Sequence, residues 1–110
     1  NANGNSGKLP DLIESKAIKE LFGERSKEIP VHSIKSTLGE GYGTSGAAQT
    51  ASTLLSINNG LIPPTINYEE KDPECNLNIV NEKLEKDIST VLINSFDLSG
   101  NNSCLIVKKI

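Results

Sequence analysis

Two β-branched runs, Ile88 to Phe96 and Ser103 to Ile110, lie on either side of Asp97-Leu98-Ser99-Gly100-Asn101-Asn102. A six-residue loop of that composition between two such runs predicts a C-terminal antiparallel hairpin. Helical patterns precede it. Pro10 and Asp11 open the first, where proline is tolerated in the first turn and the carboxylate complements the positive end of the dipole. Ile13, Ala17 and Leu21, with Ile18 and Phe22, recur at helical spacing, and Gly23 ends the pattern. A second helix is expected from about Thr44 to Asn59, ended by Gly60. Its Ala47, Ala48, Ala51, Leu54 and Leu55 form a face suited to close packing against a sheet or a partner helix. Between the helices, Ile29 to Ile34 reads as a short strand entered through Pro30. The order helix, strand, helix, hairpin predicts an α/β layer with a mixed sheet. Leu61 to Asp87, punctuated by Pro63, Pro64 and Pro73, is expected to be packed but non-repetitive, with one helical turn over Glu82 to Lys86.

The 110 residues make one domain, residues 1–110, able to bury roughly two-thirds of its unfolded surface. A net charge of −3 argues against nucleic-acid binding, which needs clustered Lys and Arg. No apolar run approaches the ~20 residues of a membrane span, and no charged-then-apolar leader is seen. The chain has no Met and starts with Asn1, so it reads as a piece of something longer. Cys75 and Cys104 form no CxxC pair, which favours a reducing, cytoplasmic setting over a disulfide staple. Cys104 sits in an apolar strand and is expected to be buried. His32 is the only imidazole, and a single histidine without a second ligand makes no metal site. Gly39, Gly41, Gly43 and Gly46 lie between strand and helix, yet neither phosphate-cradling spacing is present there.

Five segments carry a further signal. They are Asn1-Ala2-Asn3-Gly4-Asn5-Ser6; Asp11-Leu12-Ile13-Glu14-Ser15-Lys16-Ala17-Ile18 with Phe22-Gly23; and Lys35-Ser36-Thr37-Leu38-Gly39-Glu40. Gly60-Leu61-Ile62-Pro63-Pro64-Thr65-Ile66-Asn67 follows with Asp72-Pro73-Glu74-Cys75, and then Asn94-Ser95-Phe96-Asp97-Leu98-Ser99-Gly100-Asn101-Asn102. In that order they resemble N-A-H-G-T-S, D-P-I-E-A-x-A-I, K-S-x-x-G-H, G-L-I-P-P-T-x-N with D-P-E-C, and N-S-F-G-F-G-G-T-N. Those belong to the C-terminal half of the β-ketoacyl-acyl-carrier-protein synthases, thiolase-fold condensing enzymes of fatty-acid and polyketide synthesis.

The resemblance implies a thiolase-like half-domain, a mixed sheet covered by helices. In the family, the strand leading into the first loop lies inside the sheet, between the strands matching Ile29–Ile34 and Ile88–Phe96. This chain starts just after it, so an unpaired edge is expected, filled by another chain or closed by rearrangement. The family takes its acyl chain on a cysteine of the N-terminal half, so this piece alone is expected to be non-catalytic. Two family histidines donate hydrogen bonds to the malonyl thioester carbonyl while decarboxylation builds an enolate. Their positions here are Asn3 and Glu40. An amide can still donate, but an ionised carboxylate only accepts and repels an enolate. Lys35, which supports the second histidine in the family, is expected to pair with Glu40. Phe96 and Leu98 match the loop that gates the acyl pocket, with Asp97 and Ser99 replacing glycines. No cofactor and no metal are implied. The implied partners are an acyl carrier protein, the remaining N-terminal half and a second subunit in a homo- or heterodimer. The reading is a non-condensing scaffold or partner subunit like a chain-length factor; the alternative is a variant acyltransferase active in the full-length parent.

Overall fold

A computed structural model describes residues 1–110. Helix α1 runs over Lys8–Phe22 and stops at Gly23, whose φ of 55° lets its N–H return to the Lys19 carbonyl. A 3₁₀ segment over Gly23–Lys27 then leads towards Val31. The expected strand from Ile29 to Ile34 is reduced to a single parallel bridge between Val31 and Ile79. Val31 N–H donates to the Asn78 carbonyl and Val80 N–H to the Val31 carbonyl, each at 2.9 Å. The ladder goes no further because Pro30 has no N–H, and Ile34 already caps a one-turn helix α2, Lys35–Leu38, that the sequence pattern did not predict.

Helix α3 spans Ser45–Asn59 and ends at Gly60 in the left-handed conformation. Strand β1, Leu61–Ile62, pairs antiparallel with β2, Leu84–Glu85. The helical turn expected over Glu82 to Lys86 is therefore corrected to a strand. A non-local ladder wins there, closed by Lys86 N–H on the Gly60 carbonyl at 2.9 Å. Strand β3, Thr90–Phe96, pairs with β4, Asn102–Lys108, as the predicted hairpin. The Asp97 carboxylate organises the turn by accepting from the N–H groups of Ser99 and Asn101. The α/β class holds, with helices on strand pairs. Both strand directions occur, but in pieces: two antiparallel pairs and one parallel bridge.

The apolar core has two parts. Ala2, Ile18, Val31 and Leu77 form one, with Phe22 and Ile79 packed against it. Ile57, Ile62, Val80 and Ile88 form the other, under Val91 and Val107. A fully buried aliphatic side chain of this kind contributes ~1.5–3 kcal/mol.

Two expectations about burial are reversed. The face α3 buries carries Ser45, Gln49, Ser52, Thr53 and Ser56 with Ile57, while Leu54 and Leu55 are exposed. Hydrogen bonds explain the inversion. Gln49 Nε2 donates to the carbonyls of Ala2 and Asn94, each at 2.9 Å, and Thr53 Oγ1 accepts from Asn1 Nδ2. Cys104 is exposed on β4 rather than buried, because nothing covers that side of the hairpin, and its thiol donates to Asn94 Oδ1 at 3.3 Å. Both cysteines are free thiols. No helix is long and apolar enough to cross a membrane.

Candidate functional site

The site grows from the loop before α1. Ala2 N–H donates to the His32 carbonyl at 2.8 Å, which fixes the chain beside the Val31 bridge. Glu14, buried on α1, then takes over: its Oε1 accepts from Asn3 N–H at 2.8 Å and its Oε2 from Gly4 N–H at 2.9 Å. Oε1 also accepts from Asn94 Nδ2 at 3.1 Å, tying the loop to β3. Gly4 is required by close approach. Its φ is +39°, and an added Cβ would lie 2.7 Å from Ser33 Cβ. Ser33 Oγ instead donates to the Gly4 carbonyl at 2.9 Å.

This scaffold presents the Asn3 side chain to Lys35. Asn3 has no exposed surface, and its Oδ1 accepts from Lys35 Nζ at 2.7 Å and from Phe96 N–H at 3.4 Å. Lysine is donor-only, so it selects the amide oxygen and turns the NH₂ the other way. That Nδ2 group is buried and has no partner. Lys35 Nζ also donates to Glu40 Oε2 at 2.9 Å, the expected ion pair, with the lysine side chain buried and the glutamate one-third exposed. Glu40 Oε1 accepts from Ser45 Oγ at 2.7 Å and Tyr42 N–H at 2.9 Å. Burial opposes the Glu40 charge, but the hydrogen bonds from Lys35, Ser45 and Tyr42 outweigh it and hold its pKa below the ordinary carboxylate value. Tyr42 reaches this geometry only with a φ of 49°, the left-handed region that side chains disfavour.

Asn3, Lys35 and Glu40 therefore meet in one chain of hydrogen bonds, with Phe96 joining through its backbone. Leu98 stands apart on the hairpin loop, 95% exposed. Sequence reasoning did not single out Glu14 and Gln49. The signal for both was available: a polar residue at a position facing inward on its helix needs partners. His32 is buried, with Nδ1 unpartnered. Burial, with a smaller push from the Asn1 ammonium, lowers its pKa to about 4, so the ring is neutral at physiological pH.

The chain has counterparts among known proteins. The family profile for the β-ketoacyl synthase C-terminal domain matches residues 1–69. A 3-oxoacyl-[acyl-carrier-protein] synthase 2 of Coxiella burnetii is 40% identical over 111 residues, covering 100% of this chain and 27% of the relative. The ketoacyl synthase alpha subunit of the tetracenomycin polyketide synthase of Streptomyces glaucescens is 39% identical, covering 99% of this chain and 26% of that one. A solved type II polyketide acyl-carrier protein complex with its ketosynthase bound to the hexaketide superposes with a TM-score of 0.96. It is 33% identical, covering 99% of this chain and 27% of that one. The ishigamide ketosynthase/chain length factor gives a TM-score of 0.90 at 38% identity, again over 99% and 27%. The fold and its buried Asn–Lys–Glu chain thus sit in a ketosynthase scaffold. This chain belongs to the β-ketoacyl synthase family, to its C-terminal domain, and spans about a quarter of the length of the relatives it matches.

Proposed function

We propose that this domain serves a β-ketoacyl synthase-like protein of fatty-acid or polyketide synthesis that does not carry out decarboxylative condensation, and that acts as a scaffold or partner subunit. The observation that carries this is the state of Glu40. On this reading Glu40 stands where the family places a hydrogen-bond donor; its carboxylate is held in the ionised form and spends its oxygens on Lys35, Ser45 and Tyr42. An acceptor-only group there opposes a developing enolate. Loss of one such donor costs ~10²–10³ in rate. With the Asn3 exchange added, malonyl decarboxylation is expected to fall to background. In this reading Phe96 and Leu98 border the acyl chain, an acyl carrier protein delivers it, and the chain works in the cytoplasm within a homo- or heterodimer. The names of the matched structures, one with an acyl-carrier protein and one with a chain length factor, support it.

A second reading has one observation in its favour. Asn3 Nδ2 is a buried donor with nothing to donate to, as a group awaiting a carbonyl oxygen would be. On that reading the full-length protein is a variant acyltransferase. Carbon dioxide release from malonyl-carrier protein by the full-length protein separates the two. Background release is expected; robust release would overturn the non-condensing reading. Asn3→His with Glu40→His in the same protein should then raise release above the parent's.

A further inference from the structure

Lys35 is the one buried lysine of the chain, and the one whose Nζ donates to a side-chain amide. That contact brings a nucleophile to an electrophile. Nζ lies 2.7 Å from Asn3 Oδ1. A carbonyl bond is about 1.2 Å long, so Asn3 Cγ is within about 4 Å of the same nitrogen. A near-attack contact needs about 3–3.5 Å, which a small turn of the amide about its Cβ–Cγ bond supplies.

Three further groups stand where aminolysis of an amide needs them. Glu40 Oε2 accepts from Nζ at 2.9 Å and is the base within reach. Glu14 is not, because its oxygens are taken by Asn3 N–H, Gly4 N–H and Asn94 Nδ2. Phe96 N–H donates to Asn3 Oδ1 at 3.4 Å and supports charge that builds on that oxygen. Asn3 Nδ2 is buried without a partner, so no hydrogen bond holds the leaving nitrogen in place. Both side chains are enclosed, which keeps water from competing as the nucleophile.

We propose that Lys35 and Asn3 join in an intramolecular isopeptide bond, with Glu40 as the proton acceptor. The structure shows the pair before reaction. The Lys35 ammonium first passes a proton to Glu40 Oε2. The neutral amine then forms the Nζ–Cγ bond while the carbonyl electron pair moves onto Oδ1. A second Nζ proton goes to Nδ2, the pair on Oδ1 re-forms the carbonyl, and the Cγ–Nδ2 bond breaks to release ammonia. Ammonia takes up the proton left on Glu40, so the carboxylate is regenerated and no other reactant is needed. The bond ties residues 32 positions apart, from the loop before α1 to α2. The proposal does not rest on the non-condensing reading, but it removes the free NH₂ group on which the acyltransferase reading depends.

The test is mass spectrometry of the full-length protein, as purified and after days at neutral pH, intact and after proteolysis. Loss of one ammonia is expected, with a cross-linked peptide joining Asn3 to Lys35. Incubation unfolded in urea should prevent it. Glu40→Gln, which keeps the shape of the site, should slow the reaction about a hundredfold or more. Lys35→Arg, which keeps the charge but not the nucleophile, should abolish it. The reacted form should unfold at a higher temperature, since its unfolded chain keeps a closed loop. An unchanged mass in the folded, unsubstituted protein would overturn the proposal, and that measurement stands even where a variant fails to fold. Loss of ammonia that persists in Lys35→Arg would overturn it too, assigning the loss to attack of the Gly4 nitrogen on the Asn3 amide. An unaltered rate in Glu40→Gln would remove Glu40 from the reaction.

Discussion

Asn3 and Asn1 are two residues apart, yet Asn3 has no exposed surface while Asn1 is only partly buried. At Asn3 the backbone N–H is held by Glu14 and the side-chain oxygen by Lys35, which leaves only the amide Nδ2 unpartnered. At Asn1 the side-chain nitrogen bonds Gln49 and Thr53 while Oδ1 is unpartnered, beside a histidine ring with an unpartnered nitrogen and against a cavity. Their partners differ too: charged side chains hold Asn3, and neutral carbonyl and hydroxyl groups hold Asn1. The first region is tied by charged partners, and the second keeps two unpartnered buried atoms, Asn1 Oδ1 and His32 Nδ1.

The sharpest way to break the contrast is to remove the anchor of the paired side. Glu14→Ala leaves three donors without their acceptor and is expected to cost ~3 kcal/mol in urea unfolding, while Glu14→Gln, keeping shape and part of the acceptor capacity, should cost less. A smaller effect comes from the unpaired side. His32 has a folded pKa near 4 against an ordinary 6.5, so the folded state binds fewer protons than the unfolded one below neutrality. Stability should fall by roughly 2 kcal/mol between pH 7 and pH 5, and His32→Leu should flatten much of that slope.

Lys35→Met tests the link between Asn3 and Glu40. It strands the Asn3 oxygen but leaves a partly hydrated carboxylate, so a loss of ~1–2 kcal/mol is expected in thermal unfolding. In the parent, the depressed Glu40 pKa means that the pair's contribution is complete at neutral pH and fades as the pH drops through that lowered value; Lys35→Met should remove this acid-side loss. Tyr42→Asn should matter least. Asparagine tolerates the left-handed φ better, and a gain of ~0.5 kcal/mol is expected if the Tyr42 N–H stays on Glu40.

How much of this was readable in advance differed by element. The hairpin and both long helices were legible because their signals are local: β-branched runs, helical spacing, and glycine stops at Gly23 and Gly60. The Lys35–Glu40 pair was legible from the resemblance, since the matching segment sets them five positions apart around a glycine. Strand β2 was not, because Leu84 and Glu85 become a strand only through Leu61 and Ile62, more than twenty residues earlier. The orientation of α3 misled for a related reason. Its alanine and leucine spacing marks an apolar face, but hydrogen bonds from Asn1 to α3 and from Gln49 to the Ala2 and Asn94 carbonyls decide which face turns inward. Glu14 was legible as an inward-facing carboxylate one turn before Ile18, but its partners were not, because they come from the loop at Asn3 and Gly4 and from Asn94 on β3.

The outward ridge of Leu54 and Leu55 on α3 also sets how this polypeptide behaves in a tube. With an oily strip facing water, the three surplus negative charges provide the main repulsion between molecules. That repulsion vanishes near the isoelectric point of about 5.1, so mildly acidic buffers should bring on clumping well before the fold itself gives way.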